Sequence, residues 1–352
     1  MSVSQSVSTI IIGAGPIGLE LAVNLKQAGI TYRQFDAGQV GQTISWYPRQ
    51  SHFFSSPDRI SICGVPLQTV DQSKATREEY LTYLRTIVQQ FQLKINCYEK
   101  VTQINSLGPH QYEVVTDKDT YQAENVICGI GDMHSPRMLN VPGEDLPHVS
   151  HYFDEPHKYF NQKLLIVGGK NSAVEAAIRC HRAGAKVSMS YRGEKFSERS
   201  IKYWLQPEIQ WLIEIKQIPF YPQSTVTQIT PGSVTLQTVD GIEQVDADFV
   251  LLLTGYEMDT SLLKQAGVHI QGPNHGPAYD EATMQTNLPG LYVAGTAAAG
   301  TQNSFKLFIE NAHSHVVKIM RDLFGKDPKR INPLAYVHMK EETPPTDQMP
   351  ES

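Results

Sequence analysis

Apolar strand-like runs alternate with helix-like repeats along this chain. The run Thr9–Ile12 precedes a segment, Pro16–Ala28, whose apolar residues recur at helical spacing, and a second strand is predicted at Thr31–Asp36. The same order returns in mid-chain, with a strand at Lys163–Val167 before a helix at Ser172–Arg182. Strands that alternate with helices favour a parallel sheet and an α/β fold. Four further predicted elements are the helix Thr76–Phe91, the strand Lys186–Tyr191, the closing strand Gly290–Gly295 and the helix Ser304–Phe324.

The first strand-to-helix turn has the full G-x-G-x-x-G pattern of a dinucleotide-binding turn. Gly13 permits the tight turn, Gly15 lets a pyrophosphate approach the backbone, and Gly18 lets the helix pack on the strand. The helix that opens at Pro16 directs its N-terminal amides at the anion. Asp36 ends the second strand, in the place from which an acid binds ribose hydroxyls. The stretch therefore predicts a site for an adenine dinucleotide.

A second turn of this kind begins 155 residues later (168 − 13), as expected of a duplicated fold unit. Ala173 is an accepted substitute for the third glycine, whereas Lys170 stands where the second is usual. The backbone N–H of Lys170 can still donate to a phosphate, while its side chain points away or adds positive charge. The alternative is a structural repeat that binds no nucleotide. The residues predicted to bind the second dinucleotide here are Gly168, Gly169, Lys170, Asn171, Ser172 and Ala173.

The strand after the second turn ends at Tyr191 and Arg192 rather than at an acid. An arginine in this place suits the 2′-phosphate of NADP, whereas an acid favours NAD. Lys195 and Arg199 are placed to assist it, and a solvated surface arginine is the alternative. Two dinucleotide sites on one chain indicate an FAD that stays bound and an NADPH that exchanges, so that hydride passes from one to the other.

Composition and charge exclude several other classes of protein. The chain has 352 residues, enough for two domains, and its net charge of −6 argues against nucleic-acid binding. Its longest apolar run, Phe249–Leu253, is too short to span a bilayer, and no signal-like segment precedes the first strand, so a cytoplasmic protein without membrane partners is expected. The four cysteines form no C-x-x-C pair, and no histidine spacing indicates a metal site.

Five motifs then identify a family resemblance. In chain order they are "GAGPIG", "GIGDMHSP", "GGKNSAVEAA", "LLLTGY" and "TNLPGLYVAGT". Over about residues 8–325 this order is similar to that of the two-dinucleotide-domain flavoproteins of the thioredoxin reductase type. The stretches "FFSS", "SYRG" and "FIEN" resemble the bacillithiol-disulfide reductase-like branch of that group.

The resemblance implies two Rossmann-like domains, with the NADPH domain inserted into a discontinuous FAD domain, and a homodimer. It places the FAD domain at 1–152 and 258–330 and the NADPH domain at 153–257. The proline-rich, polar composition of the end of the chain separately predicts a polar tail at 331–352. It adds Gly131, Gly295 and Thr296 to the FAD site and Gly255 to the NADPH site. The positive end of the last long helix is expected to face the isoalloxazine ring.

Three departures from the family pattern bear on the chemistry. The C-x-x-C of thioredoxin reductases is missing from the segment before the second turn, so electrons cannot reach thioredoxin by that route. Ile17 stands where the bacillithiol branch has a cysteine, which puts disulfide attack in doubt because a thiolate is the nucleophile. Thr296 stands where an aspartate is usual, so FAD affinity is expected to be lower.

The sequence therefore predicts an FAD-dependent oxidoreductase that takes hydride from NADPH. Its acceptor is expected to be a low-molecular-weight disulfide, a quinone or a small redox protein such as ferredoxin. Hydride transfer needs stacking rather than acid–base groups, so no catalytic residue is assigned. His52, Phe53 and Phe54 are candidates for residues near the flavin, with ordinary packing as the alternative for each and proton donation to N5 or to a product as a further alternative for His52. A flavin monooxygenase and a non-enzymatic redox sensor are the alternatives.

Overall fold

The chain divides into two compact units. The computed structural model describes residues 6–197, 200–302 and 307–327. The first unit comprises Met1–Ser45, Gln50–Ser135 and Tyr256–Ser352, and the second comprises Trp46–Arg49 and Pro136–Gly255. The first unit is thus discontinuous in sequence, and most of the second unit lies between its segments.

Strands and short helices account for most of the described residues. The strands are β1 Ser6–Ile12, β2 Tyr32–Asp36, β3 Asn96–Cys97, β4 Val101–Gly108, β5 Gln111–Thr116, β6 Thr120–Cys128, β7 Ser135–Pro136, β8 Val149–Ser150, β9 Lys163–Val167, β10 Lys186–Ser190, β11 Phe220–Tyr221, β12 Thr225–Thr230, β13 Gly232–Thr238, β14 Gly241–Ala247, β15 Phe249–Leu252, β16 Tyr256–Glu257, β17 Ile270–Gln271, β18 Gly276–Pro277 and β19 Leu291–Val293. The helices are α1 Pro16–Gln27, α2 Gln42–Ser45, α3 Pro57–Ile60, α4 Arg77–Gln90, α5 Asn171–Arg182, α6 Gln206–Glu214, α7 Ser261–Gln265 and α8 Ile309–Phe324, with 3₁₀ turns at His157–Tyr159 and Gly295–Ala299.

The sheet of the first unit has β1 at its centre. Its described strands are ordered β3-β2-β1-β6-β5-β4, and β19 also pairs with β6. Strands β3, β2, β1, β6 and β19 run parallel, and β4 and β5 continue the sheet as antiparallel neighbours. Parallel strands present their carboxyl ends at one edge, which is where loops of an open α/β sheet bind ligands. The loops after Ile12, Cys128 and Val293 therefore share that edge.

The sheet of the second unit is covered on both faces. Its order is β11-β10-β9-β15-β8. Leu164 and Ile166 on β9 pack into the core that contains α5, while Leu165 and Val167 pack into the core under the three-stranded sheet β12-β13-β14. Since both faces of β9 are buried, its sequence is a continuous apolar run rather than an alternating one.

Several predicted boundaries shift. The helix predicted at Thr76–Phe91 begins at Arg77, because Thr76 is its N-cap and forms a capping box with Glu79. The strand predicted to end at Tyr191 ends at Ser190. The last long helix begins at Ile309, where Asn311 accepts the N–H of Phe308 in a cap, and the predicted start at residue 304 lies outside the described residues.

The domain boundaries also differ from the expected ones. Residues 136–152, which the sequence assigns to the FAD domain, lie in the second compact unit because β8 pairs with β15 there. The second unit ends at Gly255 rather than at residue 257, and it takes in Trp46–Arg49. The tail predicted at 331–352 lies outside the described residues.

Candidate functional site

The first glycine turn is closed by contacts that only glycine permits. Gly13 has a φ of +110°, and a Cβ built on it falls 2.2 Å from the carbonyl oxygen of Gly129. A Cβ on Gly18 falls 2.2 Å from the carbonyl oxygen of Gly13. The Gln34 side-chain amide, buried in the sheet, donates to that same carbonyl at 2.9 Å. These contacts hold the turn tightly against the sheet.

The space in front of this turn suits a pyrophosphate. Gly15 is the N-cap of α1 in extended conformation, and a Cβ built on it meets no atom within 4 Å. Pro16 follows at the first helical position, where a missing N–H costs no hydrogen bond. An open backbone at a helix N-terminus binds anions through its N–H groups and the helix dipole. The residues present therefore fit the diphosphate of FAD.

The carboxylate of Asp36 is fixed by hydrogen bonds from two backbone N–H groups, one of them in the first glycine turn. One carboxylate oxygen accepts the N–H of Ala14 at 2.7 Å, and the other accepts the N–H of Gly38 at 2.8 Å. Burial raises the pKa of Asp36, and the two backbone N–H groups act in the opposite direction. A carboxylate has about four acceptor positions, so two remain for ribose hydroxyls.

The closing strand brings further predicted residues to the same edge. A Cβ built on Gly295 lies 3.5 Å from the side chain of Ile17, and one on Gly131 lies 3.8 Å from the hydroxyl of Thr296. The Gly295 N–H donates to Nδ1 of His315 at 3.2 Å. Burial, with nearby positive charge, lowers the pKa of His315 to about 4, so this histidine is a neutral acceptor that fixes the loop.

Asp132 is a partly buried acid that the sequence reasoning did not assign. Its carboxylate accepts the side-chain N–H of Gln302 at 3.0 Å and is hydrogen-bonded by Thr296. Burial raises its pKa, and these hydrogen bonds oppose the rise. Gln302 also pairs with both backbone groups of Leu307, through its amide N–H and its carbonyl oxygen. Thr296, which stands where the family has an aspartate, therefore has the carboxylate of Asp132 beside it, and this carboxylate comes from the loop after β6.

The aromatic candidates lie against α4. Phe53 stacks at 4.6 Å between ring centroids on Tyr80, and its N–H donates to Ala75. His52 forms an isolated β-bridge with Thr76, and Phe54 is 53% exposed beneath the ammonium of Lys74. These contacts give Phe53 a packing role, and proximity of the three side chains to a flavin stays a prediction.

The first glycine of the second turn, like that of the first turn, leaves no room for a side chain. Gly168 has a φ of +147°, and a Cβ on it falls 2.5 Å from the Leu253 carbonyl oxygen and 3.0 Å from Ala173. Ala173 is fully buried, which suits the position where the helix packs on the strand. Lys170 is the N-cap of α5 with a φ of −115° and a ψ of −174°. That is ordinary extended backbone, so a lysine is tolerated there.

The remaining predicted residues of this site have different local roles. The side chain of Asn171 accepts the N–H of Lys202, which ties the loop after β10 to the start of α5. Ser172 lies in the first turn of α5. Gly255 has a φ of +103°, and its carbonyl accepts the N–H of Arg137 at 2.9 Å.

Three cations surround the second turn. Burial lowers the pKa of Lys170, and the positive charges of Arg192 and Arg137 lower it further. Arg137 is anchored at the carboxyl end of β15, where its carbonyl accepts the hydroxyl of Thr254 at 2.8 Å. Like charges gathered at one helix N-terminus fit a ligand with several phosphate charges. The residues present therefore fit NADPH, and Arg137 is a member of the cluster that no sequence motif indicated.

The cysteines provide no reactive thiolate. Cys63, Cys128 and Cys180 are buried, Cys97 is partly buried, and none forms a disulfide. Burial raises the pKa of Cys128 and of Cys180 to about 12, and it also raises the pKa of Cys63 and Cys97. In the described parts of the chain, no cluster of three or more His, Cys, Asp or Glu side chains is placed to hold a metal ion.

No described helix combines the length and the apolar character that a membrane span requires.

Comparisons with known proteins agree with this geometry. The family model described as pyridine nucleotide-disulphide oxidoreductase matches residues 10–295. Bacilliredoxin reductase Bdr of Bacillus subtilis is 37% identical over 87% of this chain and 94% of its own length. A ferredoxin–NADP reductase of Bacillus cytotoxicus is 24% identical over 94% of each chain. The solved bacillithiol disulfide reductase Bdr of Staphylococcus aureus is 36% identical and superposes with a TM-score of 0.86, covering 91% of this chain and 99% of its own.

These matches confirm the predicted fold class, the resemblance to the bacillithiol-disulfide reductase-like branch, and the two cofactors. FAD, once bound, accepts hydride and passes electrons on. The protein is an FAD-dependent, NADPH-consuming flavoprotein oxidoreductase. The chain belongs to the pyridine nucleotide-disulphide oxidoreductase family.

Proposed function

We propose that FAD binds at the first turn and NADPH at the second. Open space before Gly15 and the fixed carboxylate of Asp36 support the first assignment. The cations around Lys170 and the exposed arginine at position 192 support the second. Asp132 joins the FAD site in place of the acid absent at position 296. We expect Asp132→Asn to release FAD more readily, which equilibrium dialysis measures, while Asp280→Asn, at an exposed loop acid, leaves FAD affinity unchanged.

The flavin delivers its electrons directly to an external acceptor, with no cysteine of this chain in the path. The observation that carries this proposal is Ile17, which occupies the position of the family cysteine and is buried against Gly295. The four cysteines do not replace it, because burial holds each of them in the thiol form near neutral pH.

A low-molecular-weight disulfide is the first candidate acceptor. Support comes from the relatives whose printed names are bacilliredoxin reductase and bacillithiol disulfide reductase, at 37% and 36% identity. The balanced reaction consumes one NADPH, one proton and one disulfide, and gives NADP⁺ and two thiols. The two electrons that break the sulfur–sulfur bond come from the hydride of NADPH.

A small redox protein is the second candidate acceptor. Ile17 favours it, because electron transfer to an iron–sulfur protein needs no thiolate nucleophile. The relative named ferredoxin–NADP reductase matches over 94% of this chain, although at only 24% identity.

One experiment separates these acceptors. The protein is reduced with NADPH without air and is then mixed with bacillithiol disulfide, a quinone or ferredoxin, and the return of oxidised flavin is followed. The Ile17→Cys variant is the matched comparison. We expect the wild-type protein and its alkylated form to reoxidise equally fast with the true acceptor. Loss of the reaction on alkylation contradicts the proposal that electrons bypass the protein's thiols.

We further propose that the enzyme works as a homodimer in the cytoplasm, and the dimer is what the family resemblance implies. Light scattering during size-exclusion chromatography tests the dimer, and a monomer at micromolar concentration contradicts it.

A further inference from the structure

Two buried histidines lie two residues apart near the start of α8. His313 is 4% exposed and His315 is 6% exposed. Because successive residues of a helix are turned by about 100°, positions two apart point to different sides. The contacts agree with this, since His313 meets Glu20 of α1, whereas His315 meets Gly295 of the loop after β19. One helix therefore holds two separate segments of the proposed FAD site.

The hydrogen bonds of His313 require a proton on both of its ring nitrogens. Nδ1 lies 2.7 Å from a carboxylate oxygen of Glu20, and Nε2 lies 3.2 Å from the carbonyl oxygen of Arg59. Both partners are acceptors, and a neutral imidazole has only one N–H to donate. Only the imidazolium form satisfies both, and it also balances the charge of a glutamate that is 1% exposed.

The hydrogen bond of His315 requires the opposite state. Its Nδ1 accepts the N–H of Gly295 at 3.2 Å, and a protonated Nδ1 has no lone pair with which to accept. His315 is therefore neutral whenever the loop after β19 is in place. The two histidines of α8 thus make both of their contacts only when His313 is charged and His315 is not.

The charged groups around α8 favour these two states. Burial alone lowers the pKa of His313, but the charge of Glu20, the hydrogen bonds to Glu20 and to the carbonyl in α3, and the charge of Glu310 together raise it above its ordinary value. Burial lowers the pKa of His315 to about 4, and the charges of Lys318 and His313 act in the same direction.

The other elements packed against α8 do not reverse this pattern. α3 contains Asp58 and Arg59, whose charges are opposite, and the 3₁₀ turn after β19 contains no ionisable side chain. Near Glu20, burial raises the pKa of Cys63 and of Tyr83, so both side chains stay uncharged around neutral pH.

These hydrogen bonds act on the backbone that is proposed to receive FAD. Glu20 lies in the second turn of α1, one turn behind the N-terminus that Gly15 caps. Gly295 precedes Thr296 in the loop after β19, and a Cβ built on Gly295 is 3.5 Å from the side chain of Ile17, in the first turn of α1. The two segments that α8 holds are therefore in contact with each other, and loss of either histidine contact loosens one of them.

We infer that His313 and His315 are positioning residues for FAD, and that their opposite protonation states confine tight FAD binding to a window of pH. This inference rests on the proposed FAD site at the first turn. At alkaline pH His313 loses a proton, and either Glu20 or the carbonyl in α3 is left without a donor. At acid pH His315 gains a proton on Nδ1, and the Gly295 N–H loses its acceptor.

The signs of the two pKa shifts give the two limits of this window. His313, whose folded pKa is raised, contributes fully below about pH 6.5, and its contribution is lost as pH rises through the folded pKa. His315, whose folded pKa is lowered to about 4, contributes fully above about pH 6.5, and its contribution is lost as pH falls through the folded pKa. FAD is therefore expected to bind most tightly at about pH 6.5.

FAD retention by the purified holoprotein provides the test. Equilibrium dialysis at about pH 5, about pH 6.5 and about pH 8.5 gives the dissociation constant of FAD on either side of the ordinary histidine pKa. We expect this constant to be lowest at about pH 6.5 and to rise about threefold or more at each of the other two values, because one histidine leaves its required state there.

Two variants test the alkaline rise. His313→Gln has no proton to lose, and we expect it to bind FAD more weakly than wild type at about pH 6.5, with no further weakening at about pH 8.5. Glu20→Gln leaves a neutral His313 satisfied, since the imidazole then donates to the carbonyl of Arg59 and accepts from the glutamine amide. We expect this variant to lose the alkaline rise as well. An alkaline rise that persists in both variants overturns the role of His313.

Two variants of His315 test the acid rise. In His315→Asn the amide oxygen can accept the Gly295 N–H from nearly the position of Nδ1, and it does not titrate. We expect this variant to bind FAD within about threefold of wild type at about pH 6.5 and to lose the rise at about pH 5. His315→Leu has no acceptor, and we expect it to bind FAD about tenfold more weakly at every pH. An acid rise that persists in His315→Asn overturns the role of His315.

His110→Gln is the matched control. His110 is an exposed histidine of the same unit whose Nδ1 lies 2.8 Å from the side-chain oxygen of Asn125. We expect this variant to keep both rises, and loss of either one overturns their assignment to α8.

The same measurements distinguish this inference from the proposed FAD site. A protein that holds no FAD at any pH, or a Gly13→Ala variant that keeps its FAD, overturns the proposed site. A wild-type protein that holds FAD equally well at the three pH values overturns the inference alone.

Discussion

The two glycine turns share a backbone and differ in their side chains. In both, a glycine of positive φ abuts a carbonyl of the neighbouring strand, Gly129 for Gly13 and Leu253 for Gly168. The differences lie on the ligand side, where Gly15 corresponds to Lys170 and Asp36 to the position before Arg192. Steric requirements thus fix the backbone of both turns. The residues on the ligand side can differ, so that one turn suits a dinucleotide with a free ribose diol and the other suits the additional 2′-phosphate of NADPH.

The two helices behind the turns show the same division. Each contains a buried or nearly buried glutamate at the same helical position, Glu20 in α1 and Glu175 in α5. Glu20 pairs with Nδ1 of His313 at 2.7 Å, whereas Glu175 pairs with the ammonium of Lys202 at 2.7 Å and more loosely with Arg179. The glutamate at this helical position therefore pairs with an imidazole in the first unit and with a lysine and an arginine in the second.

The largest effect is expected from an alanine at the first glycine of either turn. Gly13→Ala places its methyl group 2.2 Å from the Gly129 oxygen, and we expect the purified variant to contain no FAD. Gly168→Ala makes a contact of 2.5 Å in the second unit, so we expect it to keep FAD and lose reduction by NADPH. Flavin absorbance and stopped-flow reduction measure the two losses separately.

Matched glycines control for backbone strain in each unit. Gly29 and Gly232 also have positive φ, but a Cβ built on either meets no atom within 4 Å. Alanine at these positions is expected to cost about 1–2 kcal/mol of stability and to leave both cofactor functions intact. The assignment of one cofactor to each turn would be contradicted if Gly168→Ala lost its FAD. It would also be contradicted if Gly13→Ala kept its FAD and lost only the reduction of the flavin by NADPH.

The next largest effect is expected from Arg192→Ala. Hydrogen bonds to charged groups contribute about 1.5–3 kcal/mol, so we expect the loss of this exposed arginine to lower kcat/KM for NADPH by about 10- to 100-fold. NADH has no 2′-phosphate, and its kcat/KM is expected to stay within about twofold. Lys195→Ala, three residues further along the same loop, is the control, and its loss of kcat/KM for NADPH is expected to be smaller. Equal losses for the two nucleotides would show that Arg192 does not read the 2′-phosphate.

The two glutamate pairs are expected to differ in their response to pH. Burial alone lowers the pKa of His313, but the charge of Glu20 and the hydrogen bonds to Glu20 and the Arg59 carbonyl raise it above its usual value. Stability from this pair is therefore fully present below the unfolded pKa, about 6.5, and is lost as pH rises through the folded pKa. The pair in the second unit contains no imidazole. We expect His313→Gln to cost about 3 kcal/mol at low pH and to flatten the pH dependence.

Denaturant unfolding between about pH 5 and pH 9 measures this difference. Lys202→Gln is the matched variant in the second unit, and its loss of stability is expected to be the same throughout that range. A pH dependence that persists in His313→Gln, or one that appears only in Lys202→Gln, would contradict the account of the two pairs.

The smallest effect is expected at Lys170. Its backbone already has the extended conformation of Gly15, so Lys170→Gly is expected to preserve the turn. Loss of one of three nearby cations is expected to weaken NADPH binding about three- to tenfold at low salt and less at high salt. Titration at two ionic strengths measures this, and unchanged affinity at low salt would show that the side chain points away from the ligand.

The scaffold of both turns was predictable because local sterics leave few choices. Gly13, Gly18 and Gly168 meet backbone atoms that any dinucleotide turn brings close, so the spacing alone indicates the fold. The capping box at Thr76 was also predictable from the sequence, because its two side chains, Thr76 and Glu79, lie within four residues of chain.

Residues brought in from distant strands were not predictable. Asp132 reaches the loop after β19 only because β19 pairs with β6, and no spacing in the sequence reports that pairing. Arg137 joins Lys170 through the end of β15, from 33 positions upstream (170 − 137).

The most direct test of the two-turn account is anaerobic titration of the purified yellow protein with NADPH and, separately, with NADH. The account predicts that about one equivalent of NADPH bleaches the flavin, because hydride passes stoichiometrically between the two dinucleotides, and that NADH does so far more slowly. A flavin that stays oxidised in excess NADPH would contradict the central claim that one turn receives the reductant and the other holds its acceptor.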